Sequence, residues 1–228
     1  MEKINDIYYI EGFGADSNSY LIGNIIVDTG TGTNKEYLEK ELKKIDYNLN
    51  DIDLIINTHC HFDHICGNHF FKEAKIAIGE KDSDALINRE KSRILPSFSH
   101  AEIEITGVDI KLYESDYIGD ILNKNKIEIK NLKNKSKIDE FEVIEIPGHT
   151  KGGICLYDGE TLISGDTVFT NGGFGRIDLG GDLNDMENSL KRLKDLDVNY
   201  LLPGHGPWAD NGNSHVQLAN TMFESYYK

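Results

Sequence analysis

The run Thr58-His59-Cys60-His61-Phe62-Asp63-His64 constrains this 228-residue chain more than any other feature. It sets three imidazoles and a carboxylate within six positions, just beyond the continuous apolar run Leu54-Ile55-Ile56, which reads as a buried strand. His59 and His61 flank Cys60, so an extended backbone turns both rings to one face and the thiol to the other. Asp63 and His64 follow as the chain bends towards a helix, and they point into the same hollow. A single buried histidine is ordinarily a hydrogen-bonded core residue. Four such groups crowded at a strand end are not, and imidazole with carboxylate suits zinc, iron or manganese better than magnesium or calcium.

Three further polar residues stand in the same setting. His149 follows Ile146-Pro147-Gly148 at the end of the apolar run Phe141–Ile146, and Asp166 follows Ser164-Gly165 after Thr161–Ile163. His205 follows Pro203-Gly204 after Tyr200–Leu202. Each comes after a strand and a glycine, which lets backbone approach a site closely. One such turn carries no message; three of them beside the first cluster predict a shared metal centre.

The remaining pattern predicts strands at Ile7–Ile10, Ser19–Ile22, Ile25–Val27, Ile76–Ile78, Val108–Leu112 and Gly153–Tyr157. Helices are expected from an Asn34 cap through Lys44, and near Gly67–Ala74, Lys81–Arg89, Asn184–Leu196 and Asn213–Tyr226. Strands and helices interleave without a regular strand–helix–strand rhythm, which favours a layered α/β sandwich over a doubly wound sheet. No repeat or linker divides the chain, so residues 1–228 read as one domain. Its one irregular stretch is a hairpin or loop insertion near 119–138, where Lys124–Lys137 is basic and rich in Asn, Lys and Ile.

A formal net charge of −15 sets a low prior for nucleic acid or anionic membrane as a partner. Bound metal would make the site locally cationic, so an anionic small-molecule substrate stays compatible with that charge. Three cysteines, Cys60, Cys66 and Cys155, suggest a reducing compartment without a disulfide framework. The opening Met1-Glu2-Lys3-Ile4 lacks the order of a secretory signal, and no apolar stretch is long enough to span a bilayer, so a cytoplasmic location is the expectation. Oligomeric state is left open.

His59-Cys60-His61-Phe62-Asp63-His64 with His149, Asp166 and His205 resembles the metal signature of the metallo-β-lactamase-fold superfamily. The resemblance runs from about Ser17-Asn18-Ser19-Tyr20-Leu21-Ile22 to Gly206. It implies a four-layer αββα sandwich with its site at one edge of the sheets. His59, His61 and His149 would hold a first metal, Asp63, His64 and His205 a second, with Asp166 bridging. Two divalent ions are implied, zinc first, with iron or manganese as alternatives. The tract from Gly165-Asp166-Thr167 to Arg176-Ile177-Asp178 resembles the short form of the hydroxyacylglutathione hydrolase (glyoxalase II)-like branch. It also resembles a relative of that branch, the persulfide dioxygenases.

The implied reaction is hydrolysis of a thioester or related ester or lactone by a metal-activated water. Asp63 would orient the nucleophile as well as bind metal, and Arg176 would clamp a substrate carboxylate. Asp28, in Val27-Asp28-Thr29-Gly30, is a candidate to fix a ligand histidine from behind or, equally, a turn former. Phe98, Tyr113 and Tyr117 are candidate pocket walls. The alternative chemistry is an iron dioxygenase acting on a persulfide through His59, His149 and Asp166 alone.

Overall fold

The computed structural model describes residues 1–98, 104–130 and 136–227. Seven strands, β1 (Glu2–Ile4), β2 (Ile7–Ile10), β3 (Ser19–Ile22), β4 (Ile25–Val27), β5 (Leu54–Asn57), β6 (Lys75–Gly79) and β7 (Ile110–Leu112), form one sheet in sequence order. They are antiparallel from β1 to β4 and parallel from β4 to β7. The second sheet runs in the order β12-β11-β10-β9-β8. Its strands are β8 (Glu142–Glu145), β9 (Ile154–Tyr157), β10 (Thr161–Gly165), β11 (Tyr200–Pro203) and β12 (Ala209–Asp210), with β10 and β11 parallel.

Alternation along each strand stacks these sheets. Val27, Leu54, Ile56, Ala77, Val143, Ile154, Leu156, Ile163 and Leu202 fill one core between the two sheets. Their neighbours in the chain face outward and are covered by helices. Ile26, Ile55 and Ile76 pack with Leu38 and Leu42 of α1 (Lys35–Lys43), while Ile65 of α2 (Phe62–Ile65) and Ile78 pack with Ala85 and Leu86 of α3 (Glu80–Ile87). The short α4 (Lys91–Ile94), α5 (Ile118–Asn125) and α6 (Ser136–Asp139) precede β8. On the far side Ile144, Cys155, Leu162 and Leu201 meet α7 (Leu183–Lys194) and α8 (Gly212–Tyr227). The result is the expected αββα sandwich, in which the central strands of both sheets are buried on both faces. No helix among the described residues is long and apolar enough to cross a membrane.

Two local expectations are corrected. The helix placed near Gly67–Ala74 begins five residues earlier, at Phe62, and passes into a 3-10 helix at Cys66–Phe70. The carbonyls that would continue it are taken by tertiary bonds: Ser17 N–H donates to Asp63 O at 3.0 Å and Thr29 N–H to His64 O at 2.9 Å. The hairpin or loop expected near 119–138 instead contains α5, whose Ile118, Ile121 and Leu122 are buried at helical spacing. Ile127 and Ile129 then pack against the inter-sheet core, and Lys130 N–H donates to Asn24 Oδ1 at 2.9 Å. Residues 131–135 of the Lys124–Lys137 stretch lie outside the described residues. Asn34 does precede α1, but its side chain donates to Asp16 Oδ2 and Phe13 O rather than capping the helix.

Candidate metal centre

The ends of β5, β8, β10 and β11 open at one edge of the sandwich, and the loops leaving them carry all seven candidate ligands. Extended backbone at His61 keeps its ring beside that of His59, with centroids 4.7 Å apart. Cys60 between them turns into the core, as alternation requires. Ligand atoms of His59, His61 and His149 lie within 4.8 Å of one another, as do those of Asp63, His64 and His205, and those of His59, His64 and Asp166. Asp166 lies between the first two sets. Its Oδ2 is 3.5 Å from His149 Nε2 and 3.6 Å from His205 Nε2, and its Oδ1 is 3.3 Å from His64 Nε2.

Hydrogen bonds from behind set the ring tautomers. Asp28 Oδ2 accepts from His64 Nδ1–H at 2.8 Å and from the Thr58 hydroxyl at 2.7 Å. Having given its proton to Asp28, the Thr58 oxygen accepts from His59 Nδ1–H at 3.1 Å. His149 Nδ1–H donates to the Arg176 carbonyl at 2.6 Å. All three rings therefore turn Nε2, and not Nδ1, towards the cluster.

Nε2 of His59 meets His61 Nδ1 at 3.1 Å, but two of these nitrogens and a carboxylate oxygen find no partner. His64 Nε2, His149 Nε2 and Asp166 Oδ1 are buried with no hydrogen-bond partner, the 3.3 Å approach of His64 to Asp166 being misaligned for one. Each such orphan costs about 1–3 kcal/mol. A divalent cation taking the place of the His64 Nε2 proton would remove that cost, so the donor types and the unpartnered atoms both fit a metal.

The electrostatics separate the rings into neutral and protonated ones. Burial, then the neighbouring imidazoles, pushes the pKa of His59 well down, and the same causes take His61 down to about 3, so both rings are neutral donors at pH 7. Burial also disfavours charge on His64, but the carboxylates of Asp166 and Asp28 outweigh it and hold that pKa well above the usual histidine range. Burial likewise works against Asp63 and Asp166 as anions. The His205 hydrogen bond and His64 charge overcome it at Asp63, and His64 above all does so at Asp166; both stay ionised.

Glycines let the loops close on the centre. A Cβ on Gly204 would lie 2.2 Å from Asp166 Oδ1 and 2.8 Å from His64 Cε1. Gly165, at φ +50°, faces Thr58 at 2.8 Å. Asn18 pins the His205 loop: its amide donates to the carbonyls of Pro203 and Gly206, and its own N–H is accepted by Gly204 O.

One residue is overlooked by sequence reasoning. Asp82, fully buried at the start of α3, accepts from Cys60 N–H at 3.1 Å, Thr150 Oγ1 at 2.7 Å, Gly152 N–H at 2.9 Å and the Arg93 guanidinium at 2.8 Å. It thus ties the His59–His61 loop to the His149 loop. A lone Asp in Glu80-Lys81-Asp82-Ser83 gives no local signal of this, because its donors come from three distant segments. Arg176 is placed differently from the ligands. Its guanidinium is 62% exposed and held by Asp178, and only its carbonyl reaches the cluster. Phe98, Tyr113 and Tyr117 are exposed.

The chain belongs to the metallo-beta-lactamase superfamily, whose family model matches residues 12–205. It is 34% identical over 217 residues to a protein of Methanocaldococcus jannaschii described as "Probable metallo-hydrolase", with 90% of this chain and 94% of that one aligned. It is 30% identical over 185 residues to a hydroxyacylglutathione hydrolase of Pelagibacter ubique, which covers 79% of this chain and 62% of that protein. Among solved structures, a metallo-beta-lactamase family protein from Thermus thermophilus superposes with a TM-score of 0.71 at 18% identity, covering 97% of this chain and 80% of that one.

Proposed function

We propose that this protein is a two-metal hydrolase of thioesters or related esters and lactones. The observation that carries the reading is the place of Asp166 between two complete ligand sets, His59, His61 and His149 on one side and Asp63, His64 and His205 on the other. A one-iron centre on His59, His149 and Asp166 would leave four converging side chains without a task. Zinc suits the donors best, with iron or manganese as alternatives. Divalent ions held there would lower the pKa of a bound water and polarise a carbonyl.

The chain's own residues do the rest. Asp63 Oδ2 lies 3.2 Å from His205 Nε2, and its carboxylate, one-fifth exposed at the cleft, can orient an attacking water. The ionised Asp166 balances cationic charge. A thiolate leaving group needs no strong acid from the protein. A substrate carboxylate reaching Arg176 would exchange with Asp178 in a solvated ion pair, so little net affinity is expected from that contact. The substrate is taken to be a small molecule handled in the cytoplasm, with neither nucleic acid nor membrane as partner.

The test is metal quantification on protein purified without added metal, together with turnover of a panel of thioesters, lactones and persulfides. Two ions per chain and thioester hydrolysis are expected, and His61→Ala should lose one ion and most hydrolysis. One tightly held iron with oxygen consumption on a persulfide would overturn the proposal in favour of the dioxygenase.

A further inference from the structure

Two hollows meet beside the cluster. The inner one, about 160 Å³, reaches His61 and His149. The outer one, about 430 Å³, runs on past Pro147 to Asp182 and Asp185. Thr150, Lys151 and Gly180 line both and form the junction.

Of the cations on these walls, Lys151 alone has no ion-pair partner among the described residues. Arg93 is engaged by Asp82, Glu90 and the Lys81 carbonyl, and Lys81 by Glu145. Lys151 is also well anchored. The residues on either side of it, Thr150 and Gly152, both donate to the buried carboxylate of Asp82. Its Cα is therefore fixed two residues beyond His149, while its side chain is exposed to the cleft. In a chain of net charge −15, an unpaired ammonium held at the mouth of a metal centre is a selective feature.

The geometry points to Lys151 as the residue that recognises an anionic group, a carboxylate, on the substrate a short distance from the bond that is cleaved. Asp182 and Asp185 make the outer wall negative, so the anion is held at the junction and not further out. The inner hollow is smaller than the roughly 300 Å³ at which drug-sized pockets begin. It accepts a short group, so the class is a thioester whose acyl or thiol part ends in a carboxylate a few bonds away. This inference rests on the hydrolase reading for its substrate class, but the anion contact stands or falls by binding alone.

The experiment pairs binding with kinetics. Dissociation constants of succinate and butyrate are measured by calorimetry on metal-loaded wild type, Lys151→Ala and Lys151→Arg. Succinate should bind wild type about tenfold or more tightly than butyrate, Lys151→Ala should lose that preference, and Lys151→Arg should keep part of it. The kcat/KM ratio of a succinyl over a butyryl N-acetylcysteamine thioester should fall by a similar factor in Lys151→Ala. A third thioester, butyryl 3-mercaptopropionate, shows whether the anion belongs to the acyl or the thiol half. If succinate binds no better than butyrate and 3-mercaptopropionate no better than 2-mercaptoethanol, or if Lys151→Ala leaves these preferences intact, the inference is overturned. If the binding preference follows Lys151 while no thioester is hydrolysed, the anion contact stands and the hydrolase reading fails.

Discussion

Asp28 Oδ2 lies 2.8 Å from His64 Nδ1, holding the ring of a candidate ligand from a residue 36 positions earlier in the chain. Asp28 sits at φ +56°, a left-handed conformation that Asn also tolerates. Asp28→Asn should therefore keep the backbone while removing the anion that fixes both the His64 and, through Thr58, the His59 tautomers. Metal affinity is expected to fall about 10- to 100-fold, measured as ions per chain against buffered free zinc. An unchanged affinity would mean that the tautomers are set by the metals themselves.

Asp82 makes a second connection of this type, and its loss should register in stability as well. Asp82→Ala leaves Cys60 N–H and Gly152 N–H without their acceptor, while Arg93 keeps Glu90 and the Lys81 carbonyl. A fall of about 3 kcal/mol in unfolding free energy is expected, since two buried backbone N–H groups lose their acceptor at about 1–3 kcal/mol each. Urea denaturation checks it, and a change under about 1 kcal/mol would show that water replaces the carboxylate.

Gly204 and Gly206 should respond oppositely to alanine. At Gly204 the added methyl meets Asp166 and His64, so Gly204→Ala should lose metal content and activity. Nothing lies within 4 Å of a Cβ on Gly206, whose φ of +77° is the only obstacle. Gly206→Ala should cost about 1 kcal/mol of stability and retain its metal. Metal analysis and thermal unfolding of the two variants side by side decide this.

The thiols should be silent in the folded protein. Cys60, Cys66 and Cys155 are all buried, and burial pushes the Cys66 thiol up to about 12 and the other two upward as well. A thiol-specific reagent at pH 8 should modify none of them in the native state and all three in guanidinium chloride. Rapid native labelling of Cys60 would contradict its place in the core beneath the His59–His61 turn.

Several features were legible in the residue order alone. The unbroken apolar run Leu54, Ile55 and Ile56 marks a strand buried on both faces, and the His59–His61 spacing sets two rings on one side because a strand's period is two. The repeated strand–glycine–ligand turns at His149, Asp166 and His205 announced loops that approach one another closely. Local geometry dictates these, so neighbouring residues suffice to read them. Tertiary structure alone decided where α2 stops, since Ser17 and Thr29 capture the carbonyls it would have used. It alone recruited Asp82 to join two loops, directed the Arg176 guanidinium to Asp178, and left Lys151 as the cation of the cleft with no ion-pair partner among the described residues. Such outcomes depend on which donors and charges arrive from distant segments, and a one-dimensional pattern does not encode that competition.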